Sequence, residues 1–443
     1  MFFSLQKLKL LVCLAGILLP LLTRAQTSED SLLLNATLDS VINYALAHQP
    51  TVQQAQVDEE IANKVIKGKL ADWYPQINFT YNYQRFIDLQ AAVIGGNVIR
   101  FGVNNTSSAQ FVATQNIFNR DALLASSTAS KVRVLAGQNT SKSKIDIVVD
   151  VTKAFYDVLA TAQQVKVSDQ SIARLEQSLQ SAYDRYTSGV ADKTDYKRAT
   201  ILLGNAKAER KANGEALVFK QQYLKALMGY PLQGELPIEY DTLKMESEIM
   251  LDTLQPLNYT EHIDYKILYT QRELQHANVK YSYWGFLPSL NAFGAYILNY
   301  QNDSFGELYQ QEYPYSYVGA TLAFPIFQGG KRTARIQEEK WRRMRLDLSL
   351  IDLQNNLGAE YARALAAYKS NLALFVSQRE NVKLAEEVYE VIHLQYENGI
   401  RPYLDVSVAE SDLRTTRINY FNALYQVLAS KMDVQRALGQ INY

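Results

Sequence analysis

The chain has 443 residues, 45 basic and 45 acidic, with 30 tyrosines against 16 phenylalanines and 3 tryptophans. Length alone allows two or three ordinary domains, and the lack of a basic excess argues against nucleic acid as a partner. The only cysteine, Cys13, rules out a disulfide framework, while so many tyrosines suit surfaces where an apolar ring body ends in a polar tip.

Residues 1–25 carry Lys7 and Lys9, an apolar run from Leu10 to Leu22, and Thr23-Arg24-Ala25 before Gln26. The run is too short to span a bilayer as a helix, and the pattern predicts a signal peptide, residues 1–25, with Cys13 inside it. Removing Lys7, Lys9 and Arg24 with that leader leaves a net charge of −3. No cysteine stands at the cleavage point for lipid attachment, and no later apolar run reaches about eighteen residues. Export then leaves two classes, a soluble exported protein or a β-barrel of the membrane.

Residues 26–228 read as a first repeat: helix, two strands, long helix, turn, helix. After the first helix comes Tyr74 to Phe86, YPQINFTYNYQRF, where Ile77, Phe79, Tyr81 and Tyr83 alternate with Asn78, Thr80, Asn82 and Gln84. Strand character is predicted at about 76–88 and 107–118, separated by a polar, glycine-bearing loop. From Asp121 to Tyr186 there is no proline, and apolar residues step by three and four, so one helix of roughly 100 Å is expected. It ends at Tyr186-Thr-Ser-Gly189-Val-Ala-Asp-Lys-Thr-Asp195 and a second helix runs to about Met228. Residues 229–258 hold prolines, glycines and six acids between Glu235 and Asp252; they read as a connector whose charges form a solvated face.

Residues 259–443 repeat the plan. Strands are expected at about 289–300 and 314–326, a helix from Lys331 to Tyr396, the turn Tyr396-Glu-Asn-Gly399-Ile-Arg-Pro-Tyr-Leu-Asp405, and a helix to Leu438. The turns lie 210 residues apart, and Pro75 and Pro288 open the first strand of each half, so the chain is an internal duplication. The face of the last strand that is apolar does not declare itself. Strands of ten to twelve residues with period-two alternation match tilted membrane strands, yet four of them cannot close a barrel, and an open edge in lipid costs several kcal/mol per unpaired group. The strands must be pooled with those of identical chains: two copies give eight, three give twelve. Rods of this length favour the larger ring, which can keep a water-filled bore.

Other motifs are weaker. Gly329-Gly330-Lys331-Arg332-Thr333 is not a nucleotide loop, because Pro325 stands where its first glycine belongs and Arg332 where Ser or Thr must bind magnesium. His48, His262, His276 and His393 are dispersed, so no metal site or other cofactor is expected. Glu386, Glu387 and Glu390 near the second turn read as a solvated face or as a lumenal acidic gate. No nucleophile and base converge, so no enzymatic activity is expected. The rival from another class is an exported trimeric coiled-coil structural or adhesive protein without a channel.

Phe324-Pro325-Ile326-Phe327-Gln328-Gly329-Gly330-Lys331-Arg332, the strand openings at Pro75 and Pro288, the twin Tyr-x-x-Gly-x(5)-Asp turns and Ala45-Leu46 followed by Pro50 together resemble the TolC family of outer-membrane efflux and secretion channels. The sequence departs from that pattern at Gln49, at Ile263 and at Asn119-Arg120-Asp121, which lacks a double glycine. The resemblance implies an α+β membrane protein: a homotrimer with a twelve-stranded transmembrane β-barrel in outer-membrane lipid, continued by long antiparallel helical hairpins as a periplasmic α-barrel. It further implies a passive duct fed by an inner-membrane RND pump or ABC transporter, with a periplasmic adaptor docking on the tips at Tyr186, Gly189 and Asp195 and at Tyr396, Gly399 and Asp405. Pro325, Phe327, Gly329 and Gly330 would make the turn from strand to rod.

Overall fold

The computed structural model describes residue 33, residues 35–239 and residues 242–443, with backbone only at Thr242 and Leu243. The expected signal peptide and Cys13 lie outside the described residues. Helix α1 spans Leu38–His48 and α2 Pro50–Leu70, with Pro50 at the first helical position, where a missing N–H costs nothing. After a 3-10 turn at Ala71–Trp73 come β1 (Gln76–Arg85), β2 (Gln90–Ile94), β3 (Asn97–Phe101) and β4 (Asn105–Phe118). Helix α3 covers Arg120–Thr187 and α4 Lys193–Met228. The second half holds α5 (Thr242–Ser247), α6 (Ile263–Tyr283), a 3-10 turn at Trp284–Phe286, β5 (Ser289–Asn302), β6 (Tyr315–Ala323), α7 (Lys331–Glu397) and α8 (Tyr403–Ala437).

At 68 and 67 residues, α3 and α7 each reach about 100 Å. They run unbroken because neither holds a proline and each keeps a narrow apolar stripe. Each folds back on the next helix, α3 on α4 and α7 on α8, and α3 also packs along α8. Helices α2 and α6, 21 residues each, lead into β1 and β5 through matching 3-10 turns, so the plan of elements occurs twice.

One antiparallel sheet has the order β1-β4-β5-β6, leaving β1 and β6 as unpaired edges. Its register aligns Ile77, Ala113, Gly294 and Val318 across the four strands, and likewise Phe79, Phe111, Tyr296 and Ser316. The β6 residues Val318 and Leu322 therefore belong to the apolar face, which their own sequence does not reveal. Asn78, Thr80, Asn82, Gln84, Thr106, Ser108 and Gln110 occupy the other face. β1 is exposed along its whole length, and Ile77 is 74 % and Val318 89 % exposed. A sheet with both edges open and its apolar face bare is an incomplete structure.

The loop expected to be polar is instead a second hairpin. β2 and β3 pair with Ile94 opposite Asn97, turned by Gly95 and Gly96, both at positive φ. Two consecutive positive φ values give the tight turn that matches strand twist, and only glycine takes them cheaply.

The main core joins α1, α3, α4, α7 and α8 around Val41, Val151, Phe155, Leu224, Tyr368 and Leu424. The connector helps to build it. Tyr230, Ile238, Met245 and Ile249 lie in that core, Glu246 accepts a hydrogen bond from the Tyr420 hydroxyl, and Glu248 one from Tyr156. These two acids are therefore not part of a solvated face: tertiary partners more than ninety residues away claim them.

Candidate functional site

The hairpin tips are built by one device used twice. α3 ends at Ser188, Gly189 takes φ +76°, and the Gly189 and Val190 N–H groups donate to the carbonyls of Tyr186 (3.1 Å) and Arg185 (2.9 Å). α7 ends at Asn398, Gly399 takes φ +74°, and Gly399 and Ile400 donate to Tyr396 (3.0 Å) and Gln395 (2.8 Å). Both are Schellman motifs, in which the left-handed glycine lets two orphan carbonyls be satisfied.

The tip aspartates Asp195 and Asp405 are not the caps of the returning helices. Asp192 caps α4, accepting from the Thr194 N–H at 2.7 Å, which holds its carboxyl below the usual carboxylate range. Pro402 occupies the corresponding position of α8. Asp195 and Asp405 sit one turn inside, where a negative charge favours the positive end of the helix dipole. Asp405 also pairs with Arg401 at 3.1 Å.

The two tips are tied to each other. The Arg185 guanidinium lies 4.6 Å from the Tyr396 ring centre and donates to the Glu397 carbonyl at 2.8 Å. Tyr396 and Tyr403 pack edge to face at 5.7 Å, and Tyr186 stacks on Tyr196 at 6.1 Å. Burial pushes the Tyr403 hydroxyl pKa up, with Tyr396 and Asp195 adding to it. One step deeper, Glu410, 3 % exposed, accepts from Ser171 at 2.6 Å and from both nitrogens of the Arg174 fork at 2.8 and 3.1 Å. Ala182, Ala199, Val406 and Leu413 fill the space between the hairpins. Beyond the glycines, Val190 (74 %) and Ile400 (71 %) point into solvent.

Glu386, Glu387 and Glu390 stand in different surroundings. Glu386 accepts from Arg417 on α8 at 2.6 and 3.0 Å, so its charge is paired within the chain. Glu387 and Glu390 are exposed. At the sheet end, Pro75 and Pro288 each stand one residue before a strand. The Pro325 carbonyl accepts from Arg332 at 2.5 Å, Phe327 is exposed, and Gly329 and Gly330 both have positive φ where the chain turns into α7. Sequence reasoning missed Arg185, Asp192, Arg174 and Glu410. Only Asp192 had a local signal, an acid two residues before Thr194; the others meet partners across the duplication.

Among the described residues no cluster of His, Cys, Asp and Glu could hold a metal ion, and no helix is long and apolar enough to cross a membrane. A family model described as outer membrane efflux protein matches residues 41–230 and 270–440. The outer membrane protein TolC of Vibrio cholerae is 21 % identical over 96 % of each chain. The alkaline protease secretion protein AprF of Pseudomonas aeruginosa is 21 % identical over 90 % of this chain and 82 % of its own. The Neisseria gonorrhoeae MtrE outer membrane channel, solved in its open state, superposes with a TM-score of 0.73 at 18 % identity, covering 91 % of this chain and 88 % of that one. With the twin hairpins, the four-stranded sheet and a family match across most of its length, this chain belongs to the outer membrane efflux protein family.

Proposed function

We propose that the protein is the passive exit duct of a tripartite export machine, a homotrimer whose twelve pooled strands close a water-filled barrel in the outer membrane. The observation that carries this reading is the four-stranded sheet with two unpaired edges and an apolar outer face. In lipid those edges must be paired, and among the described residues the only other strands, β2 and β3, are five residues each and pair with one another. The rods continue the bore, and a periplasmic adaptor meets the tips, where Val190 and Ile400 offer apolar contacts beside rigid glycine turns. An inner-membrane RND pump or ABC transporter supplies the drive; the duct itself does no chemistry. AprF is named for protease secretion, and this chain serves either efflux or protein export by the same passive route. Glu387 and Glu390, without Glu386, could line an acidic ring at the inner end.

Planar bilayers test the reading. The purified protein is expected to insert from detergent and conduct ions in uniform steps. A water-soluble, nonconducting trimer would instead support a structural or adhesive role. For the tips, Gly189→Val with Gly399→Val should weaken cross-linking to the adaptor while the barrel still inserts; unchanged cross-linking and export would remove the tips from docking.

A further inference from the structure

At the sheet-to-rod junction lies a cavity of about 560 Å³ that the duct reading does not use. It opens between the starts of α3 and α7 and the end of α6, and four cationic side chains line it: Arg120, Lys331, Arg332 and Arg335. None of the four forms an ion pair among the described residues. Arg332 gives one hydrogen bond to the Pro325 carbonyl and lies 4.8 Å from the Phe286 ring centre. Arg120 and Arg335 flank the Tyr281 ring at 5.2 and 5.8 Å, held over the cavity by cation–π contact rather than by a carboxylate. The one acid in the lining, Asp121, accepts the Tyr281 hydroxyl hydrogen bond.

This arrangement runs against the ordinary placement of charge. The first turn of α7 contains Lys331 and Arg332 and no acid, and its cap, Gly330, offers no side-chain oxygen. Like charges gathered at the positive end of a helix repel each other and the dipole. A local rule broken without compensation inside the chain points to a missing counter-charge. Three guanidinium forks and an ammonium around one cavity suit a phosphate, whose oxygens accept bidentate hydrogen bonds. Leu287 and Phe324 also line the cavity, exposed Phe286 lies against the lining residue Arg332, and exposed Ile326 and Phe327 follow the lining residue Pro325 in the chain. Aromatic and apolar side chains at the rim of a membrane barrel mark the level of the headgroups.

We infer that this cavity binds a phosphate group, and that a phospholipid of the leaflet facing the rods supplies it, its headgroup among Arg120, Lys331 and Arg335 and its acyl chains against Leu287 and Phe324. The same cations could take a soluble phosphate, and the test separates the two sources. The Gly329-Gly330-Lys331-Arg332 segment thus contributes charge to an anion site without being a nucleotide loop.

The experiment titrates the full detergent-solubilised protein by calorimetry, in one arm with dihexanoyl phosphatidylglycerol below its micellar concentration and in the other with inorganic phosphate. Lys331→Gln with Arg335→Gln should weaken lipid binding at least tenfold. Arg363→Gln with Lys369→Gln, equal in charge and far along α7, should leave it unchanged. Lys331→Arg with Arg335→Lys, which keeps the charge, should bind as the parent does and guards against a folding artefact. Tight lipid and weak phosphate binding assigns the headgroup; equal affinity with mutual competition assigns a soluble phosphate. No binding by the parent, or equal loss in the pocket and control variants, overturns the site.

Discussion

Gly229 and Gly189 share a left-handed backbone but not an environment. At Gly189 a Cβ would meet nothing within 4 Å, so Gly189→Ala should cost only the left-handed penalty, about 1–2 kcal/mol. At Gly229 it would lie 2.7 Å from the His48 carbonyl oxygen and 3.0 Å from its carbon, both backbone atoms that cannot swing aside. Gly229→Ala should therefore cost more, about 3 kcal/mol or above. Thermal midpoints of the two variants compare them directly, and equal losses would contradict the close packing of α1 against the end of α4. His262 gives a pH dependence. Burial lowers its pKa, outweighing the pull of Asp264, and its Nδ1 accepts the Asp264 N–H at 3.2 Å as the cap of α6. The folded state thus prefers the neutral ring. Stability from this group is fully present above about pH 6.5 and falls as acid protonates the unfolded chain first. His262→Asn, which keeps a capping oxygen, should flatten the loss of stability between pH 6.5 and 5; an unchanged slope would place the titration elsewhere.

Among the elements, the rods were legible in the sequence to within one or two residues because a three-four stripe without proline admits little else. The turns were legible through their glycines. The cap at Asp192 was not, because comparing the two halves singles out residues that recur, and Asp192 answers to Pro402. The β2–β3 hairpin was hidden for a different reason: Ile94-Gly95-Gly96-Asn97 looks like a flexible loop unless Ala92, Val93, Val98 and Ile99 are read as paired strands. Contacts between the halves left no local trace, which is why Arg185 and the Glu410 pair emerge only from the fold. Arg185 ties the two tips together beyond their shared hydrophobic cluster, so Arg185→Ala should cost about 1 kcal/mol locally and leave the rest of the rods untouched. Amide hydrogen exchange should quicken at residues 185–192 and 396–402 alone. Exchange unaltered there would show that the tips are held by the hydrophobic cluster beneath them instead.

For the whole molecule, the decisive feature is what one chain lacks. Its sheet is apolar on one face, amide and hydroxyl on much of the other, and unfinished at both edges, while its rods are too long for a self-contained domain. Both unpaired edges are accounted for if β6 of one copy meets β1 of the next and the third copy closes the ring. The chain offers a clean way to see this, because its only cysteine is Cys13, within the expected leader. Phe79→Cys on β1, combined in turn with Ser316→Cys, Val318→Cys or Ala320→Cys on the same face of β6, places thiols on the two edges that should meet. Oxidation in outer membranes is predicted to yield, in at least one pairing, a covalent species of three chains and no larger on a denaturing gel. Only monomers in all three pairings, or ladders running past three, would contradict closure by three identical chains.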